Sequence, residues 1–340
     1  MRTRPYFRLL AIVIGVVAGI IVAEGLLRLA VRFDLSPVRS FAAFVRSPEG
    51  DQSANPEYRK SDDAFLGWEL VPFASGGSVR INSDGFRGPE YPREPPSGRK
   101  RVAVIGDSEA FGAGLEEDET LSGAVKRDLN TASTNAWEVL NFGVSGYNAM
   151  QESRLLETKA LKYHPSVVIL YYVFNDPVLS LRSFLFAKGP LGRFSLVTLI
   201  EWYTFRMRRD RDVDRIYRND IATDPVGFYR WLHNSEYFDT AATLIRTMAR
   251  ASRERGARFI LVIAPEIYGF DDFRNYPYLA IHDKIKALAS QDLEVVDPLE
   301  DLMALTNNPK QLWVTTDDPH KNREATMAIA RRVAVAILGR

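Results

Sequence analysis

The sequence predicts an α/β fold, a three-layer, doubly wound parallel sheet of about five strands preceded by a transmembrane helix. Three observations carry this. From Arg101 onward, short β-branched runs alternate with longer stretches of helical period. One of those runs, Val167 to Tyr172, is continuously apolar, as a parallel strand buried on both faces should be. At the amino terminus, the basic stretch MRTRPYFR is followed by an uncharged apolar run from Leu9 to Ala23.

That run is shorter than the roughly 20 residues that span a hydrocarbon core, but it continues past a single Glu24 to Leu27 before Arg28 can reach the far interface. A cleaved signal peptide is the rival reading. Cleavage needs small residues before the cut, and Ile21-Val22-Ala23 supplies a bulky one, so residues 1–32 are expected to be a cytoplasmic tip with an uncleaved anchor. Arg2, Arg4, Arg8 and the free amine outweigh Arg28 and Arg32, which places the amino terminus in the cytoplasm and the bulk of the chain in the periplasm or at the cell surface. Ala11, Gly15, Gly19 and Ala23 stack small side chains on one helix face, the basis for expecting a homodimer through this helix. Small residues are also simply common in membrane helices.

Residues 33–100 are rich in Pro, Gly, Ser and Asn, with turn signals at Ser75-Gly76-Gly77 and Asn82-Ser83-Asp84-Gly85, and read as a stalk with an extended arm. Phe65-Leu66-Gly67-Trp68 and Val79-Arg80-Ile81 suggest strand-like pieces of the arm packed on the main domain. In residues 101–340 the expected strands are Val102 to Ile105, Trp137 to Phe142, Val167 to Val173, Phe259 to Ile263 and Leu293 to Val296. Helices are expected near Glu119 to Leu129, Ala149 to Lys162, Tyr237 to Arg255, Tyr278 to Ala289 and Arg323 to Leu338. Asn148 with Gln151 fits a capping box, Pro165 stops the second of these helices, and Gly256 suits a carboxyl-terminal cap.

An insertion at about 177–234 interrupts the alternation. It carries Phe184, Phe186, Phe194, Trp202, Tyr203, Phe205, Tyr217, Phe228, Tyr229 and Trp231, with a mixed-charge run from Arg206 to Arg218. Either a lid facing the membrane or a pair of ordinary amphipathic helices fits this composition.

Composition excludes several chemistries. The 44 basic and 43 acidic side chains leave a formal charge of +1, so no net field draws the chain to nucleic acid. The absence of cysteine removes disulfides, thiolate nucleophiles and cysteine-ligated zinc. No cofactor and no metal are expected, and any nucleophile must be an oxygen or an amine.

Gly106-Asp107-Ser108 follows the first expected strand, with Gly112 and Gly114 beyond, so a serine is presented where a parallel sheet opens into a helix. Such a turn exposes the hydroxyl and aims backbone N–H groups at a reacting oxygen, but the hydroxyl needs a general base. Of four histidines, His164, His233 and His282 have ordinary structural readings. His320 lies in a loop just ahead of the last helix, and Asp317, three residues earlier, is the carboxylate expected to orient its ring.

Four blocks in this order resemble the SGNH (GDSL) hydrolases. Gly106-Asp107-Ser108 looks like the first block, Asn141 to Gly146 like the second, Val173-Phe174-Asn175-Asp176 like the third and Asp317-x-x-His320 like the fifth. The resemblance covers about 101–338 and implies an SGNH, flavodoxin-like fold. It also implies Ser108 as nucleophile, His320 as base, Asp317 as acid, and an oxyanion hole of Ser108 N–H, Gly146 N–H and the Asn175 amide. Val173 stands where the third block has glycine, which would tighten the approach of the backbone to the oxyanion pocket. Glu109, directly after the serine, either disfavours anionic substrates or points harmlessly into the helix; the second is expected.

The expected function is therefore a serine esterase acting outside the cytoplasmic membrane on carbohydrate or lipid esters. An O-acyltransferase of cell-envelope polysaccharide would use the same residues, and a binding protein that has lost turnover is the third reading.

Overall fold

The computed structural model describes residues 5–33, 35, 57–63, 65–133, 136–178, 196, 199, 200 and 223–339. The chain divides into two compact units, Met1–Asp51 with Phe184–Val213, and Gln52–Ser183 with Asp214–Arg340.

The first unit contains helix α1, Pro5–Arg32. Its segment Leu9–Arg32 has a mean hydropathy of 2.6 over its most apolar window, so by length and composition it can cross a membrane. The single acid in it, Glu24, is tied down locally, accepting from Arg28 Nε at 2.6 Å and from the Leu196 N–H at 2.8 Å.

The second unit opens with short arm strands, β1 Tyr58–Lys60 paired to β2 Trp68–Leu70 and β3 Ser75–Gly76 paired to β4 Val79–Arg80. The main sheet follows. β5 Lys100–Gly106 leads into a one-turn helix α2, Ser108–Phe111, then α3 Leu121–Ala132 and β6 Trp137–Gly143. Next come α4 Ala149–Thr158, β7 Val167–Tyr172, α5 Pro225–Leu232 and α6 Glu236–Glu254. β8 Arg258–Ile263, α7 Leu279–Lys286, β9 Glu294–Val296 and α8 Leu299–Met303 complete the alternation. A hairpin of β10 Trp313–Thr315 and β11 Asp318–Lys321 precedes the last helix, α9 Arg323–Leu338.

Five parallel strands lie in the order β6-β5-β7-β8-β9. This is the doubly wound arrangement expected from the alternation. Because β6 and β7 sit on opposite sides of β5, the chain reverses its winding there: α3 and α9 pack together on one face, α4 and α6 on the other. The carboxyl end of β5 is thus the topological switch point, where open α/β sheets leave a crevice.

Local chemistry accounts for the boundaries. Asn148 caps α4, its side chain accepting from the Met150 and Gln151 N–H groups while Gln151 accepts the Asn148 N–H in return. β5 and β7 are almost fully buried, and their apolar residues form the centre of the core. At the end of β6, Gly143 has no room for a side chain, since a Cβ there would stand 2.1 Å from the Phe111 nitrogen.

Most of the aromatic insertion, including Phe184, Phe186, Phe194, Trp202, Tyr203, Phe205, Tyr217 and the run Arg206 to Arg218, lies outside the described residues. Its final part, α5, buries Phe228 and Tyr229, and the Tyr229 ring packs edge-on against Phe174.

The arm belongs to the same compact unit as the sheet. Arg101 on β5 has no exposed side-chain surface. It donates to Glu138 at 2.6 Å and to the carbonyls of Pro92, Arg93 and Tyr163, stitching the end of the arm to the sheet. Arg87, also buried, donates to the carbonyls of Phe111, Gly112 and Leu115, and so closes the carboxyl end of α2.

Candidate active site

Ser108 is the first residue of α2, immediately past the switch point. The preceding Asp107 caps this helix, its carboxylate accepting the Glu109 N–H at 2.9 Å, while Gly112 in the left-handed region (φ 84°) ends it. The serine is thereby fixed on a tight strand-to-helix turn.

His320 reaches it from 212 residues away, with Nε2 2.8 Å from Ser108 Oγ. The other ring nitrogen, Nδ1, lies 2.5 Å from Asp318 Oδ1, which also accepts the His320 backbone N–H at 3.0 Å. The carboxylate beside the imidazole is therefore Asp318, where spacing had pointed to Asp317. The reason is local: β11 begins at Asp318, and along a strand residues two apart share a face. Asp317 sits in the turn of the hairpin, its N–H donating to Thr315 Oγ1. A strand assignment for Asp318–Lys321 would have exposed this in the sequence, but Asp-Asp-Pro-His reads as a loop.

Ser108, Gly146 and Asn175 lie just past the carboxyl ends of β5, β6 and β7, which are neighbouring strands of the sheet. The Ser108 and Gly146 N–H groups and the Asn175 side-chain amide make no hydrogen bond to other described residues. Gly146 adopts φ 78° in the turn closed by Tyr147 N–H to the Val144 carbonyl. A Cβ there would approach the Trp68 ring to 3.3 Å. Trp68 itself donates through Nε1 to the Ser145 carbonyl and packs edge-on against Tyr147. The loop bearing Asn175 is fixed by Asp176, whose Oδ2 accepts the Val173 N–H at 3.0 Å and whose carbonyl accepts the Ala149 N–H. Val173 needs no positive φ here, so a β-branched residue replaces the glycine of the family block without backbone strain. Sequence reading placed Trp68 in a strand-like piece of the arm but gave no sign of its contact beside Gly146, since it lies far from any block.

The electrostatics are acidic. Burial acts to lower the His320 pKa, but the carboxylates of Glu109, Asp318 and Asp107 outweigh it and hold the imidazole above its ordinary value. Burial raises Asp318 less than the His320 ring and N–H lower it, so it stays ionised below the usual carboxyl range. Burial pushes Asp107 to about 6, with Glu109 raising it further, and drives Glu152 and Asp176 well above ordinary values, Glu152 raised further by Asp107 and Asp176 by Glu152 and Asp107. Neither Glu152 oxygen has a hydrogen-bond partner among the described residues.

The sign of the resulting pH dependence follows. A carboxyl whose folded pKa is raised favours the folded state below its ordinary value, and that advantage is lost as pH rises through the folded value. For Asp107, a change from 3.8 to about 6 corresponds to about 3 kcal/mol. Asp107→Asn keeps the cap but removes the acid, so it should raise unfolding stability by up to about 3 kcal/mol at pH 8 and leave it nearly unchanged at pH 3. Denaturant melts at both pH values check this; equal effects at the two would refute it.

The remaining histidines are committed elsewhere. His233 is buried between the Tyr172 hydroxyl and the Tyr229 carbonyl, and burial pushes it down to about 4. His282 bridges Tyr276 and Asp297, and His164 pairs with Glu94. Among the described residues, no cluster of histidines and carboxylates is arranged to hold a metal ion.

No family model and no curated protein matches the chain. Solved structures do match. One is an acetyl-xylooligosaccharide esterase variant from Geobacillus, 16% identical with a TM-score of 0.46 over 71% of this chain and 94% of that one. Another is the psychrotrophic esterase EstA from Pseudoalteromonas, 15% identical with a TM-score of 0.42 over 71% and 97%. A third is a GDSL-like lipase from Bacteroides thetaiotaomicron, 15% identical with a TM-score of 0.40 over 72% and 91%.

Proposed function

We propose that this chain is a membrane-anchored serine esterase of the SGNH type, with Ser108 as nucleophile, His320 as general base and Asp318 as the orienting acid. The observation that carries this reading is the continuous relay from Ser108 Oγ through both nitrogens of His320 to Asp318 Oδ1. An isolated serine at a helix start would be unremarkable; one aligned with a carboxylate-held imidazole is built to lose its proton.

In this mechanism Ser108 Oγ attacks the ester carbonyl carbon as its proton passes to His320 Nε2, and Asp318 stabilises the imidazolium through Nδ1–H. The tetrahedral oxyanion is received by the Ser108 N–H, the Gly146 N–H and the Asn175 amide, donors that have no hydrogen-bond partner among the described residues. Collapse breaks the bond to the alcohol, which takes the proton from Nε2, and water activated by His320 then releases the acid from the acyl-enzyme. A sugar hydroxyl in place of water would make the same residues an O-acyltransferase. The helix Leu9–Arg32 suggests an uncleaved anchor with its amino terminus in the cytoplasm and the site outside, facing carbohydrate or lipid esters.

Labelling with a fluorophosphonate tests the assignment. The unmutated protein should form an adduct mapping to Ser108 and hydrolyse chromogenic acetyl esters; Ser108→Ala should do neither. An intact, folded protein that takes no label would overturn the nucleophile assignment. Acylated product formed only when oligosaccharide is added would favour transfer over hydrolysis.

A further inference from the structure

Beside the Ser108–His320 contact lies a second contact between the same two elements. Glu109 follows Ser108 on α2 and Lys321 follows His320 on β11, and Lys321 Nζ donates to Glu109 Oε1 at 3.0 Å. The pair is hidden from solvent, with side-chain exposures of 2% for Lys321 and 13% for Glu109. Glu109 thus neither confronts the substrate as a free anion nor points idly into the helix.

A buried ion pair is a poor device for stability alone, since the desolvation of both charges offsets most of their attraction and apolar side chains of similar size often serve as well. Its position suggests another use. Asp318 holds Nδ1 of His320, and Asp107 and Glu109 face the imidazole from the α2 turn. Glu266, on the loop after β8 with Oε1 accepting the Ile267 and Tyr268 N–H groups, lies within the field of both Lys321 and Glu109. Every one of these neighbours is a carboxylate except Lys321. Lys321 is the one cation set among them, and by its sign it opposes the protonation of the imidazole that those carboxylates favour.

We propose that Glu109 and Lys321 are a positioning pair that holds the β11 strand of His320 against the Ser108 turn and keeps the charge around the imidazole balanced. The proposal rests on Ser108 and His320 being nucleophile and base. Each half of the pair then acts on His320 in the opposite sense: Lys321 opposes its protonation and Glu109 favours it.

The test is the titration of the His320 ring by NMR of the full chain in detergent micelles, where only four histidines contribute signals. Glu109→Gln should lower its midpoint by at least about half a pH unit, Lys321→Met should raise it by a similar amount, and the double variant should return close to the unmutated value. The acid limb of kcat/KM should move with it. Two single variants that shift the midpoint in the same direction, or leave it unmoved, would overturn the proposal, because a purely space-filling pair has no sign. If one single variant does not fold, the other decides: a midpoint shift of the stated sign is the expected result, and an unmoved or oppositely shifted midpoint refutes the assignment. The ring titration needs no turnover. It therefore decides the role of the pair even if Ser108 never takes a fluorophosphonate label, an outcome that would sink the esterase reading alone.

Discussion

Asp318→Asn is expected to lower kcat by about a thousandfold to ten-thousandfold, while Asp317→Asn changes it by no more than about twofold. The carboxylate of Asp318 accepts two N–H groups of one residue, the ring Nδ1–H and the backbone N–H of His320. An asparagine would offer an amide N–H to Nδ1 and favour the opposite tautomer, with the proton on Nε2, where the serine proton has to go. Asp317 makes no contact of this kind; its N–H serves only the hairpin turn. Steady-state hydrolysis of a small acetyl ester, with circular dichroism confirming folding, measures both variants. A large loss at Asp317 with little at Asp318 would return the acid to the position that family spacing indicates.

Arg101→Met should destabilise the second unit by about 3 to 5 kcal/mol, read as a lower denaturant midpoint with an unchanged slope. The side chain is fully buried, and its guanidinium satisfies Glu138 and three carbonyls from two separate segments. Methionine fills much of the volume but leaves a carboxylate and three carbonyls facing a thioether. Each orphaned group carries its own desolvation cost. A loss below about 1 kcal/mol would mean that water replaces the guanidinium without penalty, and that the end of the arm is not held by this residue.

The sheet was legible because its signal is redundant. Val167 to Tyr172 and Phe259 to Ile263 are apolar on both faces, and the Asn148–Gln151 box and Gly256 mark helix ends through chemistry that depends on few neighbours. Ser108 and His320 were legible for a different reason: each block carries a recognisable local pattern, and the fold brings both to the end of β5. Asp318 was not, because choosing between two adjacent aspartates requires knowing that four residues form a strand too short to show alternation. Trp68, Arg87 and Lys321 were illegible for a third reason. Their roles exist only across long separations in the chain, and nothing in a lone tryptophan, arginine or lysine announces which distant carbonyl or carboxylate it will meet.

Arg87 bears on where this chain can be cut. A fragment beginning at residue 101 would retain Ser108, Gly146, Asn175, Asp318 and His320. It would nonetheless lack the guanidinium that closes the turn carrying the nucleophile and the indole that backs Gly146. The candidate site and the segment that braces it are separable in the sequence but joined in the fold. A fragment meant to keep this geometry has to begin ahead of Tyr58, where the arm's first strand starts, so the stretch that reads as a tether is, from there on, part of the tool.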